Sequence, residues 1–389
     1  MGGAMKERIG GNLLRLRRER SLSQETLATQ AGLSLLAYRN LEKGRSEPRR
    51  NTLLALAAAL DVPIKALLQP ARHLQRVRFR SLKKLKRRDQ VLADIALRLA
   101  NFIDLEAMTG DRLPHELKPL WDELSHQSEQ NIPELAGKVR KHFGLNNKEP
   151  VHDICGLLES RGIKVLSLEV LSDGFMGLSV AEEDGGPAVV VNTWHRLPVE
   201  TWIFSAAHEL GHLLLHLNAY DVGEEREDQQ QEREADSFAS HFLMPQAAFA
   251  NEWQDAEGLP LLDRVFKIKR VFRVSWRTVL YRVAESEPEQ KRALIWQRFN
   301  RAYQQRNGKS LLKHDEPDGI AREIYHGDQA QRSTGLEPAR MEKYDFQGDR
   351  LWRLTRHAVE NDQITLSRAS EILRLPLLEM RELSASWML

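Results

Sequence analysis

SAAHELGHLLLH, residues 205–216, is the stretch that decides how the larger part of this chain folds. Ala206, Ala207, Leu210, Leu213, Leu214 and Leu215 give it a buried, helical texture around two histidines and an acid. His208 and His212 stand four apart, hence on one face of a helix, with Glu209 between them. Two imidazoles in that relation can share one Zn²⁺, while the adjacent carboxylate addresses the water beside it. Polar groups inside so apolar a helix need a reason to be buried, and a metal supplies one; a hydrogen-bonded pair of core histidines is the competing explanation. Such a zinc requires a third protein ligand and an open position. Downstream, EREADSFASHFLMP, residues 232–245, is helical in pattern, with Ala235, Phe238, Ala239 and Phe242 on its apolar side. Glu232 and Asp236 share a face, whereas Glu234 lies about 200° round from Glu232. Glu232 is read as the third ligand and Asp236 as the acceptor for a ligand histidine's other nitrogen; Glu234 is the alternative ligand. His216 extends the spacing by one turn, to the edge of the site or to the metal itself. The single cysteine of the 389 residues, Cys155, excludes a thiolate cluster and any intrachain disulfide, so a metal here is held by His and carboxylates. Cys155 itself reads as a small core residue.

Outward from that helix the texture is mixed. On the N-terminal side, HDICGLLESRG predicts a helix, and IKVLSLEV, GLSVAE and AVVVN predict short strands, the last two separated by the turn-rich DGG, residues 184–186. On the C-terminal side, residues 262–285 and 364–383 each have a helix, turn and helix rhythm, read as packing in preference to DNA reading. Residues 308–340, rich in charge, Gly and Pro, predict loops. GDRLP, residues 110–114, and SHQSEQN, residues 125–131, predict a linker ahead of the mixed region.

The head differs. The near-neutral total of +2 conceals 21 basic against 7 acidic residues in positions 1–90, a balance of +14, which leaves −12 for the remainder. A basic end on an acidic body is the asymmetry of a chain that meets nucleic acid at one end. Between Asn12 and Leu68 short helices alternate with tight breaks: NLLRLRRERS, SQETLATQAG, SLLAYRNLEKGR, PRRNTLLALAAALD and PIKALL. Ser23 is an N-cap, Gly32 ends a helix and Ser34 starts the next, which is helix-turn-helix spacing. Residues 72–90, RHLQRVRFRSLKKLKRRDQ, form the densest basic run, read as the opening of a helical connector with Val77, Phe79, Leu82 and Leu85 among its charges. The longest apolar stretch, Leu53–Leu60, is too short to span a bilayer, and MGGAMKERIGG has no apolar signal core; a cytoplasmic protein without membrane contact is expected.

SLSQETLATQAGLSLLAYRNLEKGRSEPRRNTLLALAAALDVPIKALL resembles the phage-repressor (XRE, Cro-like) helix-turn-helix family. That resemblance implies that Gln24, Leu35, Leu36, Arg39 and Asn40 face the major groove of an operator, that Ser23, Lys43 and Arg45 hold phosphates, and that Arg17 and Glu42 form a structural ion pair. Leu35 and Leu36 can touch a thymine methyl but make no bidentate hydrogen bonds, so modest base specificity is expected. HELGHLLLH followed by EREADSFASHFLMP resembles the ImmA/IrrE metallopeptidases, which share a gluzincin-like zinc site and act on DNA-binding repressors. By that resemblance His208, His212 and Glu232 match the zinc ligands, Glu209 the general base and Asp236 the residue that follows. Tyr220, His216 and His241 are positional candidates for an oxyanion stabiliser.

The expected fold is α+β and mostly helical. It comprises a five-helix DNA-binding domain over 7–70, a basic helical connector over 71–130, a zincin-like metallopeptidase domain with a small sheet over 131–285, and a helical C-terminal region over 286–389. The expected function is that of a DNA-binding regulator holding one Zn²⁺ per chain, which cleaves a repressor or antitoxin and pairs as a homodimer. The alternative is a non-catalytic repressor or antitoxin whose metal-site domain binds a partner such as a toxin.

Overall fold

The computed structural model describes residues 2–20, 22–62, 64–68, 74, 76–79, 88–125, 131–220, 228–312, 314–317 and 341–387. Most of the basic run at 72–90, the acidic stretch at 221–227 and the loops at 318–340 therefore lie outside the described residues. The chain divides into two compact units, residues 1–74 with 86–100, and residues 75–85 with 101–389.

The first unit begins with five helices, α1 (Gly2–Glu19), α2 (Gln24–Gln30), α3 (Leu35–Glu42), α4 (Arg50–Ala59) and α5 (Ile64–Leu68). Ser23 and Ser34 each accept a hydrogen bond from a backbone N–H three residues on, so both helices start where the cap residues predict. One core closes the bundle: Ile9, Leu13 and Leu16 from α1 meet Leu27, Ala28, Tyr38, Leu41, Leu56, Ala57, Leu60 and Leu67. Each fully buried leucine or isoleucine among them contributes about 1.5–3 kcal/mol.

The second unit starts with a strand, β1 (Val77–Phe79). At residues 77–79 this corrects the helical reading of the basic connector, whose residues 88–109 and 118–125 are helical. Val-Arg-Phe alternates with period two, and the alternation outweighs the helical pattern once a sheet edge is available to pair with. Helix α6 (Arg88–Thr109) follows, its first part belonging to the first unit and the rest to the second. Then come α7 (Lys118–Ser125), α8 (Ile132–His142), α9 (Ile154–Ser160), β2 (Lys164–Leu168), β3 (Gly177–Val180) and β4 (Ala188–Asn192). The sheet order is β1-β3-β4-β2. β2 and β4 are parallel, while β3 runs antiparallel to both β4 and β1. β4 is buried along its whole length, as its unbroken apolar run AVVV requires.

Helix α10 (Val199–Leu215) lies against β3 and β4, and α11 (Gln229–Leu243) packs on α10 and α8. Around them stand α12 (Gln246–Asp255), α13 (Leu261–Phe272), α14 (Trp276–Glu285) and α15 (Glu289–Asn307). The helix, turn and helix at 262–285 is a packing element: Val265, Ile268, Phe272, Val279 and Leu280 are buried in the common core. The C-terminal helices α16 (Arg350–Glu360), α17 (Leu366–Leu373) and α18 (Leu377–Ser386) are tied to this unit by buried charge. Arg350 reaches Glu106 Oε1 at 2.6 Å and donates to the Asp111 carbonyl, and Glu159 accepts from the backbone N–H groups of Asp349 and Arg350. Among the described residues no helix is long and apolar enough to cross a membrane.

Candidate metal centre and recognition helix

Helix α10 carries His208, Glu209 and His212 and is capped by His216, all buried. Gly211 lets α11 come close, since a Cβ there would stand 3.3 Å from Ala235 Cα and 3.1 Å from the Phe238 ring. That approach brings Glu232, in the first turn of α11, to both histidines: Oε2 lies 3.4 Å from His208 Nε2 and Oε1 3.3 Å from His212 Nε2. One ligand atom from each of the three lies within 4.8 Å of the others. Burial works against the Glu232 charge, but the two imidazoles outweigh it and hold the carboxyl far below its ordinary range.

The outer nitrogens are held as well. His208 Nδ1 is 2.8 Å from Asp236 Oδ1. His212 Nδ1 is 2.9 Å from His216 Nδ1, and His216 Nε2 is 2.9 Å from Glu234 Oε2. An imidazole that offers Nε2 to a metal carries its proton on Nδ1. His208 then donates to Asp236, His212 donates to His216, and His216 donates to Glu234. Burial pushes His212 and His216 towards the neutral form, which is the ligand form. Glu234, the alternative third ligand, thus lies at the far end of this chain, and Glu232 lies with the two imidazoles.

Glu209 has its own support. Ser179 Oγ, on β3, donates to Glu209 Oε2 at 2.9 Å, and the Tyr220 hydroxyl donates to Ser179 Oγ at 2.7 Å. Gly177 is needed beside them, because a Cβ there would stand 3.3 Å from Glu209 Cγ and 2.8 Å from the Val190 carbonyl oxygen. Tyr220, read as an oxyanion candidate, is therefore a support for Ser179. His241 is committed to the Ser237 carbonyl and to Glu285. Sequence reasoning missed Ser179 and Arg78. The signal for Ser179 was a lone hydroxyl between Leu178 and Val180 in an otherwise apolar strand. Arg78, on β1, is buried with Nη2 3.5 Å from Glu232 Oε1, and nothing in its local sequence set it apart from its neighbouring arginines.

In the first unit, Glu42 gathers three partners. Arg17 donates from Nε at 2.7 Å and from Nη2 at 3.0 Å, Tyr38 from its hydroxyl at 2.6 Å, and Gln24 from Nε2 at 2.7 Å. Burial opposes the Glu42 charge, yet these donors prevail and lower its pKa. Gln24 Oε1 in turn accepts from Arg39 Nε at 3.2 Å, so it bridges α2 and α3. Ser23, Leu36, Arg39, Lys43 and Arg45 are exposed, with Leu35 and Asn40 half-buried beside them. Leu36, at 70% exposure, is an aliphatic side chain presented to solvent that the bundle core leaves out.

A helix-turn-helix family model matches residues 13–67. Over 66 residues the chain is 41% identical to an uncharacterized HTH-type transcriptional regulator, y4dJ, of Sinorhizobium fredii, which is 17% of this chain and 86% of that protein. The chain belongs to the helix-turn-helix transcriptional regulators. It is also 36% identical over 72 residues to the HTH-type transcriptional repressor RghR of Bacillus subtilis, covering 18% of this chain and 53% of that protein. The regulator carries a second module: a family model described as the IrrE N-terminal-like domain, a peptidase family, matches residues 158–284. That span holds β2, β3, β4, α10 and α11, and with them His208, Glu209, His212 and Glu232; Arg78 lies outside it. The donor set of this regulator suits zinc. Two buried imidazoles with their outer nitrogens engaged and one ionised carboxylate converge, and sulfur donors are absent among the described residues of the site.

Proposed function

We propose that this regulator is a zinc-dependent endopeptidase that cleaves a repressor or antitoxin protein, with its helix-turn-helix domain placing it on operator DNA. In this reading residues 7–70 bind DNA, 71–130 connect, 131–285 form the peptidase domain and 286–389 form a helical C-terminal region. His208, His212 and Glu232 would hold one zinc ion per chain. The observation that carries the reading is the Glu209 carboxylate beside that donor set, with one oxygen held by Ser179.

When bound, zinc supplies Lewis acidity to the pocket. The chain supplies the rest. Glu209 takes a proton from the water that attacks a peptide carbonyl and returns it to the leaving amine. Tyr220 fixes Ser179, and Ser179 fixes the carboxylate of Glu209, so the base does not rotate away between the two transfers. Asp236 and the pair His216–Glu234 hold the two imidazoles in one tautomer each. On the DNA side, Ser23, Lys43 and Arg45 would meet phosphates, while Gln24, Leu35, Leu36, Arg39 and Asn40 face the major groove, two copies of the chain taking paired half-sites.

Glu209→Gln separates the peptidase from a regulator that only binds a partner such as a toxin. The variant is expected to keep its zinc, measured as metal per chain, and to lose regulation in cells. Regulation that survives with the metal retained would overturn the peptidase reading.

A further inference from the structure

The segment matched by the peptidase family contributes β2, β3 and β4 to the sheet, in the order β3-β4-β2, which by itself leaves β3 as an edge. In this chain that edge is occupied. β1 pairs antiparallel along β3, with Val77 opposite Val180, Arg78 opposite Ser179 and Phe79 opposite Leu178. Directly opposed residues of an antiparallel pair share a face. Arg78 therefore points to the side on which Ser179 meets Glu209, and its guanidinium reaches Glu232 Oε1 at 3.5 Å. Arg76 continues the match: its backbone N–H donates to Asp184 Oδ2 at 2.5 Å, its carbonyl accepts from the Ala181 N–H, and its side chain lies 3.9 Å from Glu183. Both Val77 and Arg78 are buried.

An exposed strand edge beside a reactive centre is a site for an extended peptide, which binds by main-chain pairing and is selected by alternate side chains. We propose that β1 is a built-in occupant of that site, lying in cis where an extended peptide would lie, and that the peptides the site accepts when β1 leaves are basic and alternate apolar residues with arginine. The charges support this class: Glu232 faces the guanidinium of Arg78 in β1, and Glu183 faces that of Arg76 just before it. The inference rests on the metallopeptidase reading above and adds to it both a restraint and a substrate chemistry. A tethered occupant competes at an effective concentration of about millimolar, so a free peptide gains access once the tethered strand is weakened.

The test uses the full chain in a Glu209→Gln background, so that the probe is not consumed, and a fluorescein-labelled synthetic peptide with the sequence LQRVRFRS of residues 74–81. Binding is read by anisotropy, with zinc content measured on the same samples. Val77→Asp and Arg78→Glu should each tighten peptide binding by about tenfold or more over the parent, since each weakens the competing strand. A Val77→Cys, Val180→Cys pair gives a reversible lock across directly opposed positions, Cys155 being buried. Oxidised, it should abolish binding; reduced, it should restore it, and this comparison stands even where Val77→Asp fails to fold. Equal binding by the oxidised and reduced forms, or zinc-loaded variants that bind no better than the parent, would overturn the proposal. A chain that holds no zinc yet binds peptide in a lock-dependent way would overturn the peptidase reading and leave β1 as the occupant of the edge.

Discussion

Each candidate ligand histidine has a different anchor, and the difference is chemical. His208 leans on a carboxylate directly, whereas His212 leans on a second histidine that in turn leans on Glu234. The longer chain has a testable consequence. Glu234→Ala should leave His216 free to turn and His212 free to change tautomer, lowering zinc affinity by about 10- to 100-fold, as read by competition with a chromophoric chelator. Glu234→Gln still accepts the His216 proton and should recover most of the affinity; equal losses in the two variants would remove the relay from the account. The pattern HELGH and the helical phase of Glu232 and Asp236 were legible from spacing alone. Glu234 was legible only as a rival ligand, because the angle between side chains on one helix says where they point and nothing about what stands opposite.

At the scale of elements, the ligand helix α11 is held at its far end by two buried arginines. Arg140 of α8 donates to the Phe242 carbonyl at 2.7 Å, and Arg282 of α14 donates to the carbonyls of Ser240 at 3.2 Å and Met244 at 2.8 Å. The Phe242 and Met244 carbonyls are ones that a helix end leaves open, while the Ser240 carbonyl also accepts from the Met244 N–H. The recognition helix α3 is placed by Glu42 in a comparable way, and its exposed face decides how it meets DNA. Arg39→Ala and Lys43→Ala should each weaken binding in a shift assay, and Lys43→Ala should also reduce its salt dependence by about one counterion. An unchanged salt slope in Lys43→Ala would exclude that side chain from the DNA backbone. Helices α2 and α3 were legible because their caps and apolar spacing are local. β1 was not: three alternating residues become a strand only when β3 offers its edge.

For the whole molecule, the C-terminal helices depend on Glu159, a carboxylate within the core to which they dock. Burial pushes its pKa up to about 7, the N–H groups of Arg350 and Asp349 opposing the shift. An acid whose pKa rises on folding favours the folded state most fully below its ordinary value, near 4.5, and that contribution is lost as pH rises towards 7. Glu159→Gln should therefore flatten the fall in stability between those values, an effect on the order of 3 kcal/mol read by urea unfolding at pH 5 and pH 8. Glu316, raised by burial to about 7 and paired with Lys269, keeps a slope of its own in the variant. A variant with the parent's full pH dependence would place the titration elsewhere. From its residues alone this chain determined the five-helix head, the strands β2, β3 and β4, the histidine-bearing helix α10 and the split of charge between head and body, since caps, periodicity and side-chain spacing act over a few residues. The tertiary structure alone decided that Arg78, Ser179 and Glu209 belong to one place, and that a strand from the basic connector lies along the sheet edge beside it. Arg78 stands about a hundred residues of chain from Ser179, and Ser179 stands 30 from Glu209, so only strand pairing and the packing of a helix on the sheet bring them together.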